Sequence, residues 1–492
     1  MIRFVHTRRG ATPRRSRGQI VVLFALALAA LFAMAGLLLD GAHALTLRRK
    51  LQDAGDAGAL AAANLIQTGS PKGCASGTTP RAALVTAAQD AVHASMPGIP
   101  NSDIAVTCPT GQDNWVVQVD LLDHSPGFFG GVVGIHGYDV RTTSQAMNGS
   151  KASVKYSVVE LDPSNSGWPN GQRGCPSVLF SGSNTVIFDG SLQVNSACVA
   201  GNGGALGTNG NSAVVQVNNG ATISLVGGYQ PGALTITPAP LTGQPAVKDP
   251  LRNLVAVPYS GWGASLTRAS AQTVLSGGAT VLYPGIYVGG IQMKNSAIAY
   301  LQPGIYVMKD AGNGDGGFQI GSQNKVYSIP STLTSTTDAT WATDCTTTNC
   351  GVLIYNAETA CASGSPKDQV SVGAGATLKL RPYNSSVDGT NTNDATYNNL
   401  LLWQDKTPVP TASCVQAPIS LSGGGQMNIS GTLYAPNAAV QMSGNSGGAG
   451  GSSVDITLQF ISWDLSFNGN IGFHFFYQSD AFARPTEYGL IK

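Results

Sequence analysis

Hydrophobic positions follow three successive patterns along this chain, and each predicts a different element. From Ile20 to Leu39 the run IVVLFALALAALFAMAGLLL carries no charged residue. A helix of that length, at 1.5 Å per residue, spans about 30 Å, the thickness of a bilayer's hydrocarbon core. Its apolar side chains together favour insertion by roughly 5 kcal/mol, so the pattern predicts one membrane-spanning helix. After Asp40 the helix continues and turns amphipathic. Leu47, Leu51, Ala54 and Gly58 recur every three or four residues, with Arg48, Arg49, Lys50, Asp53 and Asp56 between them. Span and stalk therefore read as one rod. The Gly and Ala density from Ala54 to Ala63 leaves little bulk, so a partner helix in the same or another chain can approach closely.

The second pattern is mixed. Residues 80–96 predict a helix, with Pro80 at its start and Pro97 just past its end. Short strands follow in IAVTC, NWVVQVDLL and YDVRTTSQAM, and the small polar run 147–153, MNGSKAS, marks a domain boundary. From about residue 154 the third pattern takes over: two-residue alternations such as Val186/Phe188, Leu192/Val194, Val215/Val217, Ile291/Met293, Ile305/Val307, Val370/Val372, Leu378/Leu380 and Ile456/Leu458/Phe460. Turn residues separate them, among them DG at 189, NG at 209 and NNG at 218. LYPGIYVGGIQM at 282 returns as LQPGIYVMKDAG at 301, an offset of 19 residues. An offset near 20 matches one coil of a parallel β-helix, in which no single turn buries its own face. A parallel β-helix is the favoured fold for this region, with a β-sandwich as the alternative. The Pro-rich stretch 231–258, the Ser/Thr-rich stretch 328–349, the polar loop 384–399 and the glycine run 443–453 read as irregular inserts, and the aromatics of FHFFYQSDAF as a cap on the open end of the core.

Charge orients the picture. The tail before the span carries Arg3, Arg8, Arg9, Arg14, Arg15 and Arg17 with no acidic residue, and such a block stays on the cytoplasmic side. The expected plan is a cytoplasmic basic tail over 1–19, a transmembrane helix over 20–39, an α+β stalk region over 40–150 and an extracytoplasmic β-rich domain over 154–492. A bacterial inner membrane is the expected location, with the bulk of the chain periplasmic or extracellular. Ala33-Met34-Ala35 also satisfies the rule for a cleaved signal peptide, but Leu37, Leu38 and Leu39 continue the apolar run beyond that cut.

The order RGQIVVLFALAL, GLLLDGAHAL, RRKLQDAGDAGALAAANL resembles the N-terminal signature of the TadE/TadG-like proteins of Flp (Tad, tight-adherence) pilus assembly. The resemblance covers residues 17–66 and, more loosely, the stretch to about 147, where HSPGFFGGVVGIHGYDVRTTSQAMN is similar to the close of that region. It implies a membrane-anchored, extracytoplasmic component of a pilus or adhesion apparatus. One departure stands out: prepilin substrates carry a glutamate at the fifth position after the cleaved glycine, and counting from Gly18 that position is Leu23. A permanently anchored assembly protein fits better than a polymerising subunit.

Composition sharpens the β region. Charged residues make up 11% of the chain, under half the usual share of about 25%. Stacked identical positions would bring like charges to about 4.8 Å, a repulsion that Asn, Ser, Thr and Gly avoid. Net charge is +1 and no dense basic face lies outside the tail, so a nucleic-acid partner is not expected. Lipid, other pilus-assembly or envelope proteins and surface glycans are the expected partners.

The eight cysteines, Cys74, Cys108, Cys175, Cys198, Cys345, Cys350, Cys361 and Cys414, read as disulfides beyond an export signal. Sequence does not fix the connectivity; pairing neighbours gives 74 with 108, 175 with 198, 345 with 350, and 361 with 414. Without a CxxC pair or a nearby histidine, zinc is disfavoured. Asp162, Ser164 and Ser166 match the D-x-S-x-S metal-binding string of von Willebrand A modules after the apolar run YSVVEL, but the alternating helices of that fold are missing; an Asp-Pro-Ser turn is the plainer reading. Gly444-Asn445-Ser446-Gly447-Gly448 mimics a serine nucleophile elbow, yet no histidine lies between His136 and His474. The stretch Asp310–Gly316 matches a calcium loop only in part. Acidic residues such as Asp189, Asp249, Asp368, Asp455 and Asp464 are scattered singly, so no residue is assigned a catalytic role, no cofactor is expected and the chain is read as a non-enzyme. The expected function is structural, in assembly or anchoring of a Flp-type pilus or in adhesion. A surface adhesin or carbohydrate-binding protein is the alternative, and a polysaccharide-acting enzyme ranks after it.

Overall fold

The computed structural model describes residues 17–66, 73–76, 79–109, 114–127, 129, 131, 134, 136–150, 156–163, 175–208, 212–311, 316–332, 345, 349–357, 369–385, 395–407, 416–423, 427–445, 454–470, 472–484 and 486–491. It separates into two compact units, Met1–Gly149 with Glu487–Lys492, and Ser150–Thr486.

In the first unit, helix α1 runs unbroken over Arg17–Asn64. Its Leu and Ala content favours a helix and no proline interrupts it. Two environments divide it. Val21, Leu23, Phe24, Leu31, Phe32 and Leu38 are exposed, whereas Leu51, Ala54, Ala59, Ala62 and Ala63 are buried. The buried stripe packs on helix α2, Ala82–Ser95, through Leu84, Ala88 and Val92. It also meets Val117, Val119 and Leu121 of an antiparallel sheet built from Ile104–Thr107, Val116–Pro126 and Gly137–Ser150. The C-terminal strand Thr486–Leu490 joins this sheet at its edge. Helix α2 starts two residues later than Pro80, because Pro80 pairs with Ala75 in a short antiparallel bridge. Arg81, just before α2, donates its guanidinium to Leu65 O, Ile66 O and Gly73 O at 3.2, 3.2 and 2.9 Å. It thereby ties the segment that follows α1 to the start of α2. Cys74 and Cys108 are bonded nearby.

The second unit is mostly β. Among the described residues, its named strands pair only in parallel, from Leu206–Thr208 with Val178–Ser181 through to Gly472–Phe475 with Thr185–Phe188, whereas a sandwich is built of antiparallel pairs. A nine-stranded sheet and an eighteen-stranded network hold these ladders. Their inner faces form one cluster that includes Phe180, Phe188, Val215, Ile291, Met293, Leu378, Leu421, Phe460 and Phe467.

Stacking order departs from chain order. In the nine-stranded sheet, strands run in sequence from Thr273–Ser276 to Leu465–Asn470, and beyond that last strand lie Val178–Ser181 and Leu206–Thr208. The eighteen-stranded network repeats the inversion: Tyr156–Glu160 pairs with Val454–Ser462, and Gly472–Phe475 with Thr185–Phe188. Two expectations change as a result. The aromatics of FHFFYQSDAF do not cap an open end, because Phe473 and Phe475 are inside the stack, where Phe475 lies 5.1 Å from Phe188. The Pro-rich stretch is not an interruption: residues 238–266 are the return crossing from Thr235–Thr237, at one end of the network, to Thr267–Ala269. On the way Leu251, Leu254 and Val257 cover Tyr355, Tyr397, Trp403 and Tyr434 in a separate apolar cluster.

Register also differs from the visible repeat. The strands Ala279–Leu282 and Ile298–Leu301 pair at the offset of 19, Leu282 opposite Leu301, but Gly285 then stands opposite Tyr306, two residues beyond Gly304. A slip of two preserves which face each side chain takes, so it costs the core nothing. Glycines stack near the ends of strands: Gly444 of Val440–Asn445 pairs with Gly469 of Leu465–Asn470, and a Cβ on Gly469 would lie 1.9 Å from Gly444 O.

Candidate functional site

Chemistry concentrates in two places, one in each unit. In the first, small and polar residues of α1 dock it to its own unit. Asp40 is buried at the end of the apolar run, and its carboxylate accepts the Phe129 N–H at 3.0 and 3.3 Å. One turn earlier, a Cβ on Gly36 would lie 2.6 Å from Phe129 Cβ, so only glycine lets that loop sit on the helix. Lower down, Gln52 Nε2 donates to Asp56 Oδ1 at 2.8 Å and to Ser144 Oγ at 2.9 Å, and Ser144 Oγ donates to Asp56 at 2.6 Å. Gly55 leaves the room for this hook, since its Cβ would fall 2.7 Å from Ser144 Oγ. Gly58 does the same for α2, with Val92 Cγ2 only 2.9 Å from the would-be Cβ. The string Leu51-Gln52-x-Ala54-x-Asp56-Ala57 is thus a docking motif: Leu51 and Ala54 fill the core, while Gln52 and Asp56, one turn apart, hold a strand hydroxyl.

In the second unit, Asp162 is one of three buried carboxylates drawn together with Glu160 and Asp464, their ligand oxygens within 4.8 Å of one another. Ser164 and Ser166 lie outside the described residues, so the D-x-S-x-S string is represented only by its aspartate. Glu160 ends the strand Tyr156–Glu160, and Asp464 follows the strand Val454–Ser462 that pairs with it. Glu160 accepts N–H groups from Asp162 at 2.7 Å, Asn195 at 2.9 Å and Ser196 at 3.1 Å. Burial pushes its carboxyl well above the usual carboxylate range, and the charges of Asp464 and Asp162 push it further, against the pull of the Asp162 and Ser196 N–H groups. All the donors are oxygens, the set that suits a hard divalent cation. No local motif announces Glu160 and Asp464; the only signal is that both end runs of alternating apolar residues, and their meeting depends on the inverted stacking order.

Other acidic residues among the described ones form ordinary partnerships. Asp189 takes a hydrogen bond from His474 at 3.1 Å. Asp249 accepts the Tyr434 hydroxyl at 2.6 Å, and Lys406 Nζ binds the carbonyls of Leu251, Arg252 and Leu254 at 3.1, 2.8 and 2.8 Å. Cys175 is bonded to Cys198, and Cys345 to Cys350; Cys361 and Cys414 fall outside the described residues. So do Ser446 to Gly448 of the elbow-like string, residues 312–315 of the calcium-like loop, and Asp368.

No curated protein and no solved structure matches the chain. A family model does match: residues 18–65 are similar to the family described as putative Flp pilus-assembly TadE/G-like.

Proposed function

We propose that this chain is a membrane-anchored structural component of Flp-type pilus assembly or adhesion, with no catalytic role. Residues 20–39 would lie in a bacterial inner membrane, the basic tail 1–19 on its cytoplasmic side and the second unit outside, where disulfides persist. The observation that carries this reading is the division of α1 within the family domain. Its first half exposes a leucine-rich surface long enough to cross a bilayer, and its second half is anchored by the Gln52, Asp56 and Ser144 hook. In this reading the parallel ladders coil as a β-helix, a rigid and sparsely charged body suited to standing among other pilus or envelope components. Deleting the coding sequence and counting surface pili by electron microscopy tests it, together with fractionation of the intact chain. Loss of pili and recovery with the membrane are expected; unchanged piliation, or a freely soluble cytosolic chain, sinks the proposal.

A further inference from the structure

We infer that Glu160, Asp162, Asp464 and the hydroxyl of Ser462 form a binding site for a divalent cation of the calcium class, which fastens the seam where the first strand of the β unit stacks on one of its last. The seam joins segments some three hundred residues apart, and Glu160 and Ser462 are register partners across it. Val158 and Phe460 lie two residues before them and face the same inner cluster. By the period of two along a strand, Glu160 and Ser462 share that inward face. The carboxylates alone would be an acidic cluster and nothing more. Ser462 supplies the independent observation: it is fully buried, and its Oγ has no hydrogen-bond partner among the described residues. A buried hydroxyl left so is costly, and a cation beside Glu160 gives it a lone-pair acceptor. Oxygens within 4.8 Å of one another can share an ion at the Ca–O distance of about 2.3–2.6 Å. Neutralising three carboxylates buried side by side is what such an ion does best.

Terbium, a luminescent stand-in for calcium, tests the site on the full chain in detergent. Trp463 sits between Ser462 and Asp464, and its carbonyl accepts the Asp162 N–H at 3.2 Å, so indole excitation reports occupancy. One saturable equivalent is expected, displaced by calcium and abolished by a chelator, with affinity falling at least tenfold in Glu160→Gln and in Asp464→Asn. Calcium should also raise the melting temperature of the wild-type chain. Ser462→Ala removes a hydroxyl that makes no hydrogen bond among the described residues, so it leaves folding intact and isolates the ligand role: calcium affinity drops several-fold and the calcium-dependent rise in melting temperature shrinks. The inference is overturned if terbium and millimolar calcium give no saturable signal, if binding is unchanged in Glu160→Gln, or if Ser462→Ala stabilises the chain equally with calcium and with chelator. None of these outcomes depends on whether the chain serves a pilus.

Discussion

At the scale of single residues, the β unit is constrained most tightly where backbones approach each other. Gly469 has φ of 108°, and a Cβ there would strike Gly444 O, so Gly469→Ala suffers both left-handed strain and a backbone clash. A cost of roughly 3 kcal/mol is expected, read as a lower denaturation midpoint. Gly220 separates the two effects: its φ is 70° but nothing lies within 4 Å of a Cβ, so Gly220→Ala should cost only about 1 kcal/mol. Asp249 predicts a pH effect. Burial raises its pKa, against the pull of the Tyr434 hydroxyl, the Leu251 N–H, Lys406 and Arg252. A carboxyl whose folded pKa is raised binds its proton more tightly when folded. Its stabilising contribution is therefore complete below the unfolded value of about 4 and is lost as pH rises through the folded value. Urea midpoints measured from pH 4 to pH 7 should fall less for Asp249→Asn than for the wild type.

At the scale of elements, the Gln52, Asp56 and Ser144 hook makes the α1 motif a matter of docking. Removing the hydroxyl in Ser144→Ala leaves Gln52 and Asp56 with each other but without the strand, and should cost about 1–2 kcal/mol. A double-mutant cycle with Asp56→Asn should give a coupling of about 1 kcal/mol, and additivity would show that the motif is not a hook. This helix was legible from sequence because its two environments write two different periodicities. Short strands were legible for the same reason: Leu192 and Val194, or Leu378 and Leu380, face one shared core. Ile305 and Val307 show where that signal ends. Both are buried, but against the return crossing, while Tyr306 and Met308 fill the inner core. Every residue from Gly304 to Met308 is buried, so the apolar pattern there cannot say which face points inward. Glu160 and Asp464 were illegible for another reason: neutral parallel ladders write no charge pattern that names their neighbours, and stacking order is what joins these two.

At the scale of the whole β unit, the inverted stacking order has a kinetic consequence. Strands within 156–237 are made first, yet they pair with strands within 454–475, which are made last. Thr273–Ser276 through Val440–Asn445, by contrast, stack in the order they are synthesised. Pairing across so long a separation must pay its loop-closure entropy before any contact rewards it, so the early strands wait for the chain to be completed. In a chain that ends at Asn445, Val178–Ser181 and Thr185–Phe188 lack Leu465–Asn470 and Gly472–Phe475, and their phenylalanines lose Phe467 and Phe475. Hydrogen exchange followed by mass spectrometry should therefore find 178–237 unprotected in that truncated chain while 291–442 retains slow exchange. In the full chain both should be protected. Nearest-neighbour stacking explains why the loss stays on one side of the seam, since each strand answers chiefly to the ones above and below it. Equal protection of 178–237 in both chains would mean that the early strands hold together without the late ones, and the inversion would then carry no weight in folding.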